Sequence, residues 1–153
     1  MKRRDFLKNT AIISAASVFS SCDVSSENIE PISSNNGGLP IVVSTWNHGI
    51  PANKVAMQII ENGGRAIDAV EAGVRVTESD PEMMSVGYGG LPDRDGFVTL
   101  DACIMDETGN CGSVSFLQNI MNPISVARKV MEDTPHVMLS GKGALDFALE
   151  NGF

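Results

Sequence analysis

The sequence predicts an α+β domain in which helices cover a sheet, preceded by an N-terminal leader. Three observations lead there. Apolar residues recur at helical spacing in four segments that begin or end at Pro, Gly or Asn. Two β-rich runs flank a five-residue polar turn, as in a hairpin. The elements follow one another as β-α-α-β-β-α-β-α without internal repeats, which suits helices layered on a largely antiparallel sheet. At 153 residues the chain holds one domain with a real core, since a domain of this size buries roughly 70% of its extended-chain surface.

The leader comes first. Met1–Lys8 is MKRRDFLK, with Arg3 and Arg4 ahead of Phe6 and Leu7, and Thr10–Phe19 is an apolar run of signal-peptide length. Residues 1–22 therefore read as a twin-arginine export signal, placing the protein in the periplasm. Val18–Cys22 resembles a lipobox with Phe19 in an aliphatic position, so that Cys22 would be acylated and anchor the chain; ordinary signal-peptidase cleavage nearby is the alternative. Residues 23–38, DVSSENIEPISSNNGG, contain little that could pack and read as a disordered linker. Residues 39–153 form the folded part.

Pro40–Trp46 is β-branched and bounded by glycines, which predicts a first strand. Pro51 opens a helix to Asn62 with Val55, Ala56, Ile59 and Ile60 on one face, and Gly63-Gly64 stop it. A second helix spans Arg65 to Glu78, with Ala66, Ala69, Val70, Gly73, Val74 and Thr77 inward. Gly87, Gly89, Gly90 and Gly96 then punctuate a loop whose backbone visits positive φ or lies too close to something else to carry a Cβ, a tight surface turn feeding the hairpin being the plainer reading. Phe97–Met105 reads as a buried strand, Asp106–Asn110 as the turn and Cys111–Leu117 as the return strand. Pro123 opens a helix to Glu132, with Asn122 as N-cap and Ile124, Ala127 and Val130 inward. Val137–Leu139 is a short strand, and Gly141–Asn151 a last helix with Ala144, Leu145, Ala148 and Leu149 on one face.

Charge narrows the partners. The formal net charge is −8, and it falls to −11 once residues 1–21 take away Lys2, Arg3, Arg4 and Lys8 with only Asp5. Such acidity argues against nucleic acid or an anionic membrane surface as a partner. His48 and His136, the two histidines, have no metal-ligand spacing, and no metal or cofactor is expected. Cys103 and Cys111 lie nearly opposite on the hairpin and are expected to be buried thiols, because directly opposed strand positions fit disulfide geometry poorly. Asp93-Arg94-Asp95 reads as a solvated turn, and Met83, Met84, Met105, Met121, Met131 and Met138 as core filler.

A longer pattern carries more. SVGYGGLPDRDG from Ser85, then VTLDACIMDE from Val98, STWNHG at Ser44–Gly49, NPISVARKVME at Asn122–Glu132 and TPHVMLSGKGALDFALENGF at Thr134–Phe153 together resemble the glycosylasparaginases, or aspartylglucosaminidases, of the N-terminal-nucleophile hydrolase superfamily. The resemblance spans Pro40 to Phe153 and matches the first of the two chains of the mature enzyme. It implies the N-terminal half of a four-layer αββα sandwich. It also implies an amidohydrolase that splits the bond between an asparagine side chain and N-acetylglucosamine, without a cofactor.

The implied partners are a second chain carrying the nucleophile, a glycoasparagine-type small molecule, and further α/β units in a homo-oligomer. In that family the precursor cuts itself at a His-Asp-Gly-Thr motif and the exposed threonine is the nucleophile. That motif does not occur here, so no catalytic residue is expected in this chain, the nucleophile is expected beyond Phe153, and the chain alone is expected to be inactive. The sequence then reads as the N-terminal part of a longer frame, a frameshifted gene or a fragmentary gene. A lone tryptophan is more often core than ligand platform, but the resemblance implies that Trp46 lines the active site. His48 stands where the family commonly has Phe, and reads as a histidine at the site's rim. Isoaspartyl peptidase/asparaginases are the near alternative. Their first strand carries a His-Gly-Gly-Ala-Gly type motif where this chain has Ser44-Thr45-Trp46-Asn47. An inactive exported lipoprotein fragment is the other.

Overall fold

The computed structural model describes residues 38–153. The export signal with Arg3 and Arg4, the lipidation candidate Cys22, and the linker up to residue 37 lie outside the described residues. Four helices and a three-stranded sheet make up the rest: α1 (Gly49–Glu61), α2 (Ala66–Glu78), β1 (Leu100–Met105), β2 (Cys111–Leu117), α3 (Pro123–Asp133), β3 (Leu139–Ser140) and α4 (Gly141–Glu150). The strand order is β1-β2-β3, with β1 antiparallel to β2 and β3 parallel to it. The α+β expectation holds.

Pro40–Trp46 is not a strand. Leu39, Ile41 and Val43 are all more than four-fifths exposed, and no neighbouring strand among the described residues pairs with them. β-branched composition favours an extended chain, but a strand exists only where another backbone completes its ladder. β1 likewise starts at Leu100 rather than Phe97, because the Phe97 carbonyl accepts from the Asp93 amide (2.8 Å) and closes a turn. That turn also carries an exposed Arg94–Asp95 ion pair, as a solvated turn should.

The hairpin forms as the sequence predicts. Asp106 makes its turn by accepting from the amides of Thr108 (2.8 Å) and Asn110 (3.0 Å), and the Thr108 hydroxyl beside it holds its carboxyl down to about 2. Between Leu100 and Ala102 the register shifts by a bulge; there Phe116 takes φ 52° and its amide donates to the Asp101 carboxylate at 2.8 Å. Leu100 and Ile104 of β1 and Val114 and Leu117 of β2 face inward onto α3 and α4. Val126, Ala127 and Val130 of α3, with Ala144 and Ala148 of α4, complete this core. Each fully buried Val or Leu contributes roughly 1.5–3 kcal/mol. Gly112 is where α3 comes closest, since a Cβ there would overlap the Ala127 carbonyl and lie 2.6 Å from the Met131 amide nitrogen.

The other face of the sheet is uncovered by the described residues: Asp101, Cys103 and Met105 point outward and are exposed. Cys103 is therefore not a buried thiol, and Cys111 is half-buried. The register explains both, because Cys103 pairs with Ser113 and Cys111 with Met105, which sets the two thiols diagonally. Of the methionines expected as core filler, Met84, Met105, Met121 and Met138 are exposed, Met105 because the register puts it on the open face, while Met131 packs against the core.

α1 and α2 pack as a pair. A Cβ on Gly73 would sit 3.0 Å from the Ala52 carbonyl, so the glycine permits close approach. Ile67 is buried, while Val70 and Val74 are partly exposed, which turns α2 slightly from the face its periodicity suggested. Arg128 of α3 joins the layers, pairing with Asp68 and Glu71 of α2 at 2.8 Å each.

Candidate functional site

Between the Ser44–Gly49 turn, the end of α2 and the free edge of β1 lies a cavity of about 340 Å³. Its wall is mostly apolar, with Thr45, His48, Thr77, Glu78, Asp101 and Cys103 supplying the polar atoms.

The turn is built by two backbone bonds, Gly49 amide to the Trp46 carbonyl (3.2 Å) and Ile50 amide to the Asn47 carbonyl (3.1 Å), which feed directly into α1. Gly49 has no room for a side chain, because a Cβ would overlap the Ser44 hydroxyl. Trp46 takes φ 65°, a conformation in which a bulky residue is strained, and its ring is three-quarters exposed. His48 sits edge-on to it, ring centroids 5.7 Å apart at 80°. His48 lines the cavity, whereas Trp46, between the lining residues Thr45 and His48 in the chain, does not line it itself. The two residues singled out from the motif thus meet, whereas His136 is exposed on the far side of α3 in sequence and bonds through its amide to the Thr134 hydroxyl.

Glu78 is the residue that sequence reasoning missed. It ends α2 and is 3% exposed. Its carboxylate accepts from the Ile124 amide at 3.1 Å and from the Asn122 side-chain amide at 3.4 Å, so it caps the N-terminus of α3 from a different helix. Asn122 does occupy the N-cap position, but it makes no side-chain cap bond there; its side chain donates to Glu78 and, at 3.0 Å, to the Ser79 hydroxyl. Burial pushes the Glu78 carboxyl up to about 7, against the pull of Ile124 and Asn122. A signal was present: a carboxylate at the end of α2, directly after Thr77, which its periodicity places inward and which is buried.

The glycine loop packs on the same place. Gly87 takes φ 61°, and a Cβ there would overlap the Glu78 carbonyl; a Cβ on Gly89 would lie 2.6 Å from the carbonyls of Pro81 and Met83. Both needs for glycine are met in this loop: Gly87 and Gly96 take positive φ, and Gly87 and Gly89 bring backbone onto backbone. Among the described residues no group of His, Cys, Asp and Glu is arranged to hold a metal ion.

Residues 50–153 match the family described as Asparaginase. The chain belongs to the asparaginase family. It is 56% identical, over 153 residues and 99% of its length, to an N(4)-(beta-N-acetylglucosaminyl)-L-asparaginase of Elizabethkingia miricola, of which it covers 44%. The corresponding protein of Rattus norvegicus is 44% identical over 124 residues, covering 80% of this chain and 36% of the rat protein. A rat isoaspartyl peptidase/L-asparaginase is 46% identical over 95 residues, 61% of this chain and 28% of that protein. The chain thus spans less than half the length of these curated relatives.

Proposed function

We propose that this chain is the N-terminal part of an N(4)-(beta-N-acetylglucosaminyl)-L-asparaginase, hydrolysing the amide between asparagine and N-acetylglucosamine. The observation that carries the reading is 56% identity to a protein of that name over nearly the whole chain, the Trp46 turn included. Identity to the isoaspartyl peptidases covers a smaller share of the chain, which supports the glycosylasparaginase side.

The chemistry needs a threonine hydroxyl activated by its own α-amino group, and donors for the oxyanion that develops on the amide carbonyl. Thr45 and Thr77 line the cavity but are internal, as is Thr99, so none has a free amine. The nucleophile belongs to a second chain, released by self-cleavage, that docks where this chain leaves its sheet face and the cavity open. A second sheet on the outward face of β1 and β2, where Met105 and Phe116 are exposed, makes the four-layer αββα arrangement. Trp46 then flanks the substrate and His48 trims the rim. The leader with Arg3 and Arg4 sends the precursor through the twin-arginine route to the periplasm, with Cys22 as its lipid anchor.

The test is reconstitution with a second chain that begins with threonine. The pair should release aspartate from N-acetylglucosaminyl-asparagine without added metal, and Trp46→Ala should lower kcat/KM at least about tenfold, a loss of about 1.4 kcal/mol of transition-state binding. Turnover by residues 39–153 alone, or a reconstituted enzyme indifferent to Trp46→Ala, would refute it.

A further inference from the structure

We propose that Glu78 is a positioning residue for this cavity, holding the start of α3 and the glycine loop through its carboxylate and its carbonyl, and that the bonds it makes there set how the Trp46 turn packs across the cavity. The inference rests on the cavity being the hydrolase site, but its geometry stands without that assignment.

Three elements converge on this one residue. Its side chain receives the first free amide of α3, its backbone carbonyl is the surface against which Gly87 lies, and its helix is pressed through Gly73 onto Ala52 of α1. α1 in turn begins at Gly49, directly after the Trp46 turn. Glu78 and His48 line the same cavity.

A proton changes the bonds that Glu78 can make. As a carboxylate it accepts from both Ile124 and Asn122. As a neutral acid one oxygen gains a hydrogen to donate and is a weaker acceptor; turning the Asn122 amide so that its oxygen receives that hydrogen, with the Ser79 hydroxyl then donating to the same oxygen, satisfies all three groups. The titratable and charged groups near it are Arg75 and Glu71 on its own helix, with His48, Asp101 and Cys103 lining the same cavity; Arg75 favours the ionised form and Glu71 opposes it. The folded chain keeps the Glu78 proton up to about pH 7, whereas the unfolded chain gives it up near 4.5. The stability this proton lends is therefore full below 4.5 and is lost as pH rises through 7.

Trp46 is the only tryptophan, so its emission reports this turn alone. The experiment uses the full chain as purified from the cells that make it, carrying His48→Phe so that no imidazole beside the indole can respond to pH. Trp46 emission and the ¹³C signal of the Glu78 carboxyl are titrated from about pH 4 to about pH 9. The two should share one midpoint, and the emission step should vanish in His48→Phe/Glu78→Gln, where glutamine keeps the shape and the Ile124 bond. Emission that stays flat while the carboxyl titrates, or an emission step that survives Glu78→Gln, overturns the proposal. Should the glutamine variant not fold, coincidence or divergence of the two midpoints in His48→Phe decides alone. No substrate is involved, so a failure to hydrolyse glycosylasparagine would refute the proposed function and leave this result intact.

Discussion

Replacing Gly87 by alanine asks two things of the fold at once: a left-handed backbone with a side chain, and space where the Glu78 carbonyl already lies. The first costs roughly 1–2 kcal/mol for an L-residue at φ 61°. The second cannot be relieved by a flexible side chain, because the atoms met are the Cα, carbonyl carbon and oxygen of Glu78, so it adds an overpacking cost of roughly 1–3 kcal/mol or more. Gly96 supplies the control. It takes φ 90° in the same loop, and a Cβ there meets nothing within 4 Å, so Gly96→Ala should show the backbone cost without the collision.

The expected ranking in urea unfolding is therefore wild type, then Gly96→Ala, then Gly87→Ala, the last two separated by at least about 1 kcal/mol at an unchanged m value. Because a domain of this kind is stable by only about 5–15 kcal/mol, that gap is readily measured. Equal losses in the two variants would show that the glycines serve conformation alone and that the loop does not bear on Glu78.

Arg128→Met should cost about 2–4 kcal/mol, since it strands Glu71, whose side chain is four-fifths buried and otherwise keeps only the Ser125 hydroxyl; thermal unfolding of the variant checks it, and adding Glu71→Leu should recover part of the loss. Changing Arg3 and Arg4 together to lysine should leave the precursor in the cytoplasm on cell fractionation, and Cys22→Ala should abolish palmitate labelling if the cysteine is the anchor.

How much was legible in the sequence differs from element to element for physical reasons. β2, Cys111–Leu117, the polar turn before it and the start of α3 at Pro123 emerge as read, because local chemistry dictates them: Asp106 closes the turn with its own carboxylate, and proline at the first helical position has no amide to satisfy. The helices α1, α2 and α4 were likewise visible in their 3.6-residue pattern, to within two residues at each end. The family was legible too, since its motifs are runs of residues and need no geometry to be recognised.

What only the tertiary structure decided is whatever depends on a partner distant in the chain. Pro40–Trp46 has strand composition and no ladder to join; Cys103 alternates like a buried residue yet falls on the open face, because the register with Ser113 sets its side. Asn122 has the right residue type for a cap, but Glu78, 46 residues before Ile124, provides it. Periodicity along α2 could place Thr77 inward, directly before Glu78, without saying what the carboxylate would meet there. A helix terminus, a carbonyl pressed by a glycine and a cavity wall come together at that carboxyl only when α2, α3 and the glycine loop pack, and low solvent exposure then does to its proton what no neighbour in sequence could.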